Sequence, residues 1–136
     1  MTYQVQFLRG LKAHGFLEIA MKKYKAISLK QPWANLVCEG KKTIETRKWK
    51  TDYRGDLVIC SSKKPDIYPA GYALCIVELY GIKPMKKEHE KKACTKIYKG
   101  AYSWFLRNIR LINPPIPVSG SVGIFDLKIF NNNSLL

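Results

Sequence analysis

A chain of 136 residues with an apolar share of 46% suffices for one ordinary core and is too short for two domains. Its formal charge of +14, supplied mostly by lysine, favours polyanionic partners and the release of their counterions, although a merely soluble lysine-rich surface is the plainer reading. No apolar run approaches the ~20 residues that cross a bilayer, and Arg9, Lys12, His14 and Glu18 interrupt each early apolar stretch, so neither a membrane partner nor a secretory signal is expected and a cytoplasmic location is.

In chain order, residues 1–23 read as an N-terminal appendage whose Phe7, Leu8, Leu11, Phe16 and Leu17 form a weak helical pattern broken by Gly10 and Gly15. Residues 26–29 read as a strand ended by Gln31-Pro32, and Trp33, Leu36 and Val37 as a short helix closed by Gly40. Alternation over 43–47 and the β-branched run 56–60 predict two more strands, and 73–79 a further apolar one. The charged stretch 85–97, with Pro84 at its start, has the spacing of a surface helix. Residues 102–112 read as a strand or a bulged pair, broken by Pro114, Pro115 and Pro117 before a last strand over 122–130 and a flexible tail over 131–136. Five to six short strands and one to three helices, without a strand-helix rhythm, predict an α+β domain over 24–130 built as a small mixed β-barrel with flanking helices.

Cys38, Cys60, Cys75 and Cys94 contain no C-x-x-C pair and mostly sit in apolar runs, so they read as reduced core residues. With only His14 and His89 available, no metal site of ordinary spacing is expected, and no cofactor is implied.

Chemistry concentrates between Ser28 and Arg54. A helical turn brings Lys30-Gln31-Pro32-Trp33 back towards Gly40-Lys41-Lys42, and the strand that follows presents Thr43, Glu45 and Arg47 on one face by its period of two. Nine cations between Lys22 and Lys50, Lys48 among them, stand against Glu39 and Glu45, which favours a polyanion-tracking surface. Glu78 is the one charge in its apolar strand. If it points inward, Lys42 or Arg47 is its expected partner across the barrel mouth; otherwise it is a structural ion pair or lies on a solvated face. Trp33 is open to base stacking or packing, and Trp104 reads as core.

The octet Gly40-x-Lys42-x-x-Glu45-x-Arg47, with Gln31-Pro32-Trp33-Ala34 before it, Arg54-Gly55 after it, and later Tyr102-Ser103-Trp104 and Pro115-x-Pro117-Val118-x-Gly120, resembles the ASCH family of the PUA-like superfamily over roughly residues 24–129. The resemblance implies a PUA-like β-barrel and an RNA or nucleotide-like ligand. Phe125 stands where related proteins often carry tryptophan. A subgroup of N4-acetylcytidine amidohydrolases is similar at Lys42 and Glu78 but has a threonine nucleophile in place of Glu45, and Thr43 replaces it only if the backbone shifts. The leading expectation is therefore an RNA-binding cleft in which Lys42, Arg47, Lys48 and Arg54 meet phosphates while Gln31, Trp33 and Glu45 read a base. The alternative is a hydrolase of a modified nucleoside using Lys42, Glu45 and Glu78.

Overall fold

The computed structural model describes residues 21–130, so most of the expected appendage and all of the tail 131–136 lie outside the described residues. In chain order the elements are β1 (Met21–Leu29), α1 (Trp33–Cys38), β2 (Ile44–Arg47), β3 (Gly55–Ser61), β4 (Tyr72–Pro84), a 3-10 turn (Lys87–His89), α2 (Glu90–Ala93), β5 (Tyr102–Pro117) and β6 (Phe125–Phe130). β1 starts at Met21, inside the stretch read as appendage, and pairs with β6 over its first six residues, Met21 to Ala26.

The six strands form one sheet in the order β2-β5-β4-β3-β1-β6, in which β1 and β3 run parallel and the other neighbours antiparallel. The expected barrel does not close: β2 and β6 are the two edges. Register breaks in β4 and β5 bend the sheet instead, because each bulge adds residues to one strand and increases its local twist.

The centre of the sheet is buried on both faces, which is why 56–60 and 73–79 read as continuous apolar runs. Ile27, Leu29, Leu57, Ile59, Val77, Leu79 and Trp104 point to one side, where α1 lays Ala34 and Val37 on them. Ala26, Val58, Cys60 and Ile76 point to the other, against Ile112, Ile116 and Ile129. Each fully buried large aliphatic side chain contributes about 1.5–3 kcal/mol.

Three expectations are corrected. The helix read over 85–97 is only a 3-10 turn and the four residues of α2, since Ala93 is the sole buried residue of these two turns and Cys94 leaves the helix at φ 56°. A helix without an apolar face has little to hold it together. The prolines after 112 do not end the strand: β5 runs to Pro117, with Ile112 to Pro115 opposing only Leu74 between the pairs Cys75–Leu111 and Ala73–Ile116. Prolines without N–H groups are accommodated where the ladder is already interrupted. Cys38 of α1 and Cys75 of β4 are joined as a disulfide, whereas Cys60 is a buried thiol, its pKa pushed up to about 12 by burial, and Cys94 is exposed. The two bonded cysteines are distant in sequence, so spacing alone did not pair them.

Candidate nucleotide-binding cleft

The site begins with how α1 ends. Gly40 takes φ +79°, its N–H donates to the Val37 carbonyl, and the N–H groups of Lys41 and Lys42 donate to that of Leu36. This is the Schellman arrangement, which a residue with a Cβ enters only with strain. It reverses the chain and sends the Lys42 side chain inward, where it is 2% exposed.

Lys42 Nζ donates to the carbonyl of Ala93, one of the orphan acceptors at the end of α2, and lies 3.4 Å from Glu45 Oε1. Glu45 is itself 12% exposed, and its second oxygen accepts from Arg47 Nε at 2.9 Å. Arg47 Nη2 donates to the Ser28 carbonyl at 2.9 Å, which ties β2 to the end of β1 and leaves the rest of the guanidinium fork for a ligand. One carboxylate thus serves two cations, and the cluster keeps a surplus positive charge. Burial pushes the Lys42 pKa down, while the Glu45 carboxylate opposes that shift.

Above these groups is a cavity of about 370 Å³. Lys42, Glu45, Thr46 and Arg47 from β2 and the turn before it line it together with Ser28, Leu29, Lys30 and Trp33 from the β1–α1 region, and Ser62 and Thr95 complete the wall. Trp33 borders the cavity and is 37% exposed. Thr46 accepts a hydrogen bond from Tyr98 at 3.0 Å, which fastens the segment after α2 to the wall.

Of the residues singled out from sequence, Lys30, Trp33, Lys42, Glu45 and Arg47 come together here. Gln31 does not: it is buried, donates to Asn35 Oδ1 and the Pro69 carbonyl, and accepts from the Asn35 N–H. Thr43 borders a separate hollow beside Tyr80 and Phe105. Lys48 and Arg54 are exposed outside the cavity, with Arg54 turned back onto the carbonyls of Thr51 and Tyr53. The expected pairing of Glu78 with Lys42 or Arg47 is not formed. Arg107 grips both Glu78 oxygens at 3.1 Å, holding that carboxyl below its usual range, and Glu78 does not border the cavity. Trp104 is fully buried, with Trp49 edge-on to it at 4.9 Å.

Sequence reasoning missed Ser28, Thr46, Ser62 and Thr95. Ser28 and Ser62 sit at the carboxyl ends of the parallel strands β1 and β3, a place that only the strand pairing reveals. Among the described residues no group of three or more His, Cys, Asp or Glu side chains is arranged to hold a metal, and no helix is long and apolar enough to cross a membrane.

The fold is similar to the crystal structure of ASCH from Zymomonas mobilis, with a TM-score of 0.55 at 19% identity over 68% of this chain and 72% of that one. A single-substitution variant of that protein gives 0.52 at 18% over 68% and 74% of the two chains. A second gives 0.52 at 18% over 69% and 73%. A search of curated proteins found no match. The ASCH domain family model matches residues 27–116, the span that holds the Schellman turn, the Lys42–Glu45–Arg47 cluster and the cavity above it, and the chain therefore belongs to the ASCH domain family.

Proposed function

We propose that this chain is a PUA-like RNA-binding domain whose ligand places a base against Trp33 and its phosphates beside Lys30 and Arg47. The observation that carries the reading is a half-exposed tryptophan lining the same cavity as cations whose only carboxylate there is already engaged by both Lys42 and Arg47. Such a site stacks a base of any sequence and attracts the backbone, with about 1–3 kcal/mol per stacked base. Sequence preference arises from Glu45, the one carboxylate lining the cavity among the described residues and its strongest acceptor for an exocyclic amine.

The test is fluorescence anisotropy with short single-stranded and hairpin RNAs over a salt series, comparing wild type with Lys30→Ala/Arg47→Ala. Affinity that falls steeply with salt, and a shallower slope by about 0.7 for each cation removed, support the reading. Equally weak binding by both proteins refutes it.

A second reading has its own support in Lys42. A buried ammonium with a lowered pKa next to a carboxylate is a proton-transfer pair, with Glu45 as base to a water and Lys42 stabilising the resulting anion. This would make the domain a hydrolase of a modified nucleoside. Turnover of such nucleosides by wild type and none by Glu45→Gln would establish it, and the absence of turnover in both would remove it.

A further inference from the structure

A second cavity of about 380 Å³ adjoins the first, and Ser28 and Ser62 belong to the walls of both. Its other walls bring Lys63, Ser119 and Ser121, and among the described residues no carboxylate borders it. The stem of Lys63 lies over Gly71, where a Cβ would meet Lys63 Cγ at 3.1 Å; the absence of a side chain there lets the lysine lie against this chamber. Ser61, also in the wall, is occupied: its hydroxyl is bonded to both backbone groups of Tyr72.

Ser28 is different. Its hydroxyl is the one buried side-chain polar atom among the described residues without a hydrogen-bond partner. A buried donor left unpaired is rare and needs an explanation. What covers it is the backbone of Gly120, so close that a Cβ there would stand 2.9 Å from Ser28 Oγ. The loop over the hydroxyl is thus made of its smallest residue, flanked by exposed Ser119 and Ser121 and by Val122, which is 96% exposed. An acceptor oxygen reaches this donor only if the loop moves outward.

We infer that the second cavity is a phosphodiester subsite, in which Ser28 Oγ–H and the Lys63 ammonium hold the phosphate that follows the nucleotide seated on Trp33. Hydroxyl and lysine donors without a carboxylate suit a phosphate oxygen, and the shared Ser28–Ser62 wall makes the two subsites neighbours along one strand. This inference rests on the RNA-binding reading and narrows it: the ligand is a strand of at least two nucleotides, not a free nucleoside.

The test is titration calorimetry at low salt with the dinucleotides ApA, CpC, GpG and UpU, their four nucleosides, and inorganic phosphate, on wild type, Ser28→Ala and Gly120→Ala. Wild type is expected to bind its preferred dinucleotide at least tenfold more tightly than the matching nucleoside. Ser28→Ala removes a donor that has no partner in the free protein, so its melting temperature should not fall, while the dinucleotide advantage over the matching nucleoside drops about tenfold. Gly120→Ala fills the space over the hydroxyl and should show the same selective loss.

If both variants keep the full dinucleotide advantage, the subsite is wrong and the RNA-binding reading survives. If wild type binds no dinucleotide and no longer RNA, both fall. Inorganic phosphate binding more tightly than every dinucleotide, and lost in Ser28→Ala, would make the chamber a site for free phosphate and overturn the diester assignment.

Discussion

Replacing Glu45 by glutamine removes the charge shared by Lys42 and Arg47 while keeping the side chain's shape. Lys42 is 2% exposed and then has only the Ala93 carbonyl and an amide oxygen for its ammonium. Breaking a buried ion pair by removing one partner costs about 3–5 kcal/mol, and glutamine's remaining acceptor puts the expected loss near 3. For a chain of this size that lowers the melting temperature by about 10 °C. The loss carries a pH signature. Glu45 opposes the downward shift of the Lys42 pKa, so the variant lowers that pKa further. An unfolded lysine keeps its proton to about pH 10.4, whereas the folded variant releases it earlier. Between those two pKa values the unfolded state binds more protons, and the variant's stability rises with pH. Urea denaturation from pH 6 to pH 10 should therefore show a large deficit at neutral pH that narrows on going alkaline. Lys42→Met/Glu45→Gln should recover most of the stability at pH 7. A Glu45→Gln protein within about 0.5 kcal/mol of wild type at pH 7, the range of an ordinary surface change, would refute the buried-pair account. So would a deficit that does not vary with pH.

Trp33→Ala should weaken single-stranded RNA binding by about 1–3 kcal/mol with little change in melting temperature, whereas Trp104→Ala should cost about 3–5 kcal/mol of stability; anisotropy and thermal denaturation on both variants separate the two tryptophans. Glu78→Gln should leave RNA affinity and any nucleoside turnover unchanged, because Arg107 holds that carboxylate outside the cavity; a loss of either would return Glu78 to the site. Reducing the Cys38–Cys75 bond, which closes a separation of 37 residues, should lower stability by up to about 4 kcal/mol on the chain-entropy model, measurable as a shift in the urea midpoint with and without reductant. An unchanged midpoint would mean that the bond constrains nothing in the unfolded chain.

The segment from Trp33 to Arg47 was legible because its signals are local: a proline before the helix, a glycine after it, and alternation in β2. Those same signals gathered Lys30, Trp33, Lys42, Glu45 and Arg47. Gln31 was misread as a base contact because a polar residue in a motif looks alike whether it faces a ligand or fastens a loop, and here it fastens the Tyr68–Pro69 segment through Asn35 and Pro69. Glu78 stayed open between an inward partner of Lys42 or Arg47 and a structural ion pair because its strand is apolar on both faces, so periodicity cannot tell its direction; the register break between Ile76 and Glu78 brings it opposite Arg107 and makes it the ion pair. Closure of the sheet was equally out of reach, since it depends on whether β2 and β6 meet, and no pattern within either strand records that.

β2 has consequences beyond geometry. This four-residue edge strand has β5 on one side and, among the described residues, no strand on the other, yet it carries Glu45 and Arg47. The charged half of the cleft is therefore mounted on a short edge of the sheet, held by side-chain bonds to Ser28 and Tyr98 as well as by its one ladder. Affinity and local order become one thermodynamic quantity: a ligand gripping Arg47 also closes the rim, and the free energy of closing it is subtracted from the measured binding. In amide exchange, occupancy would appear first as slowing along β2, while the doubly covered β3 and β4 would hardly register it.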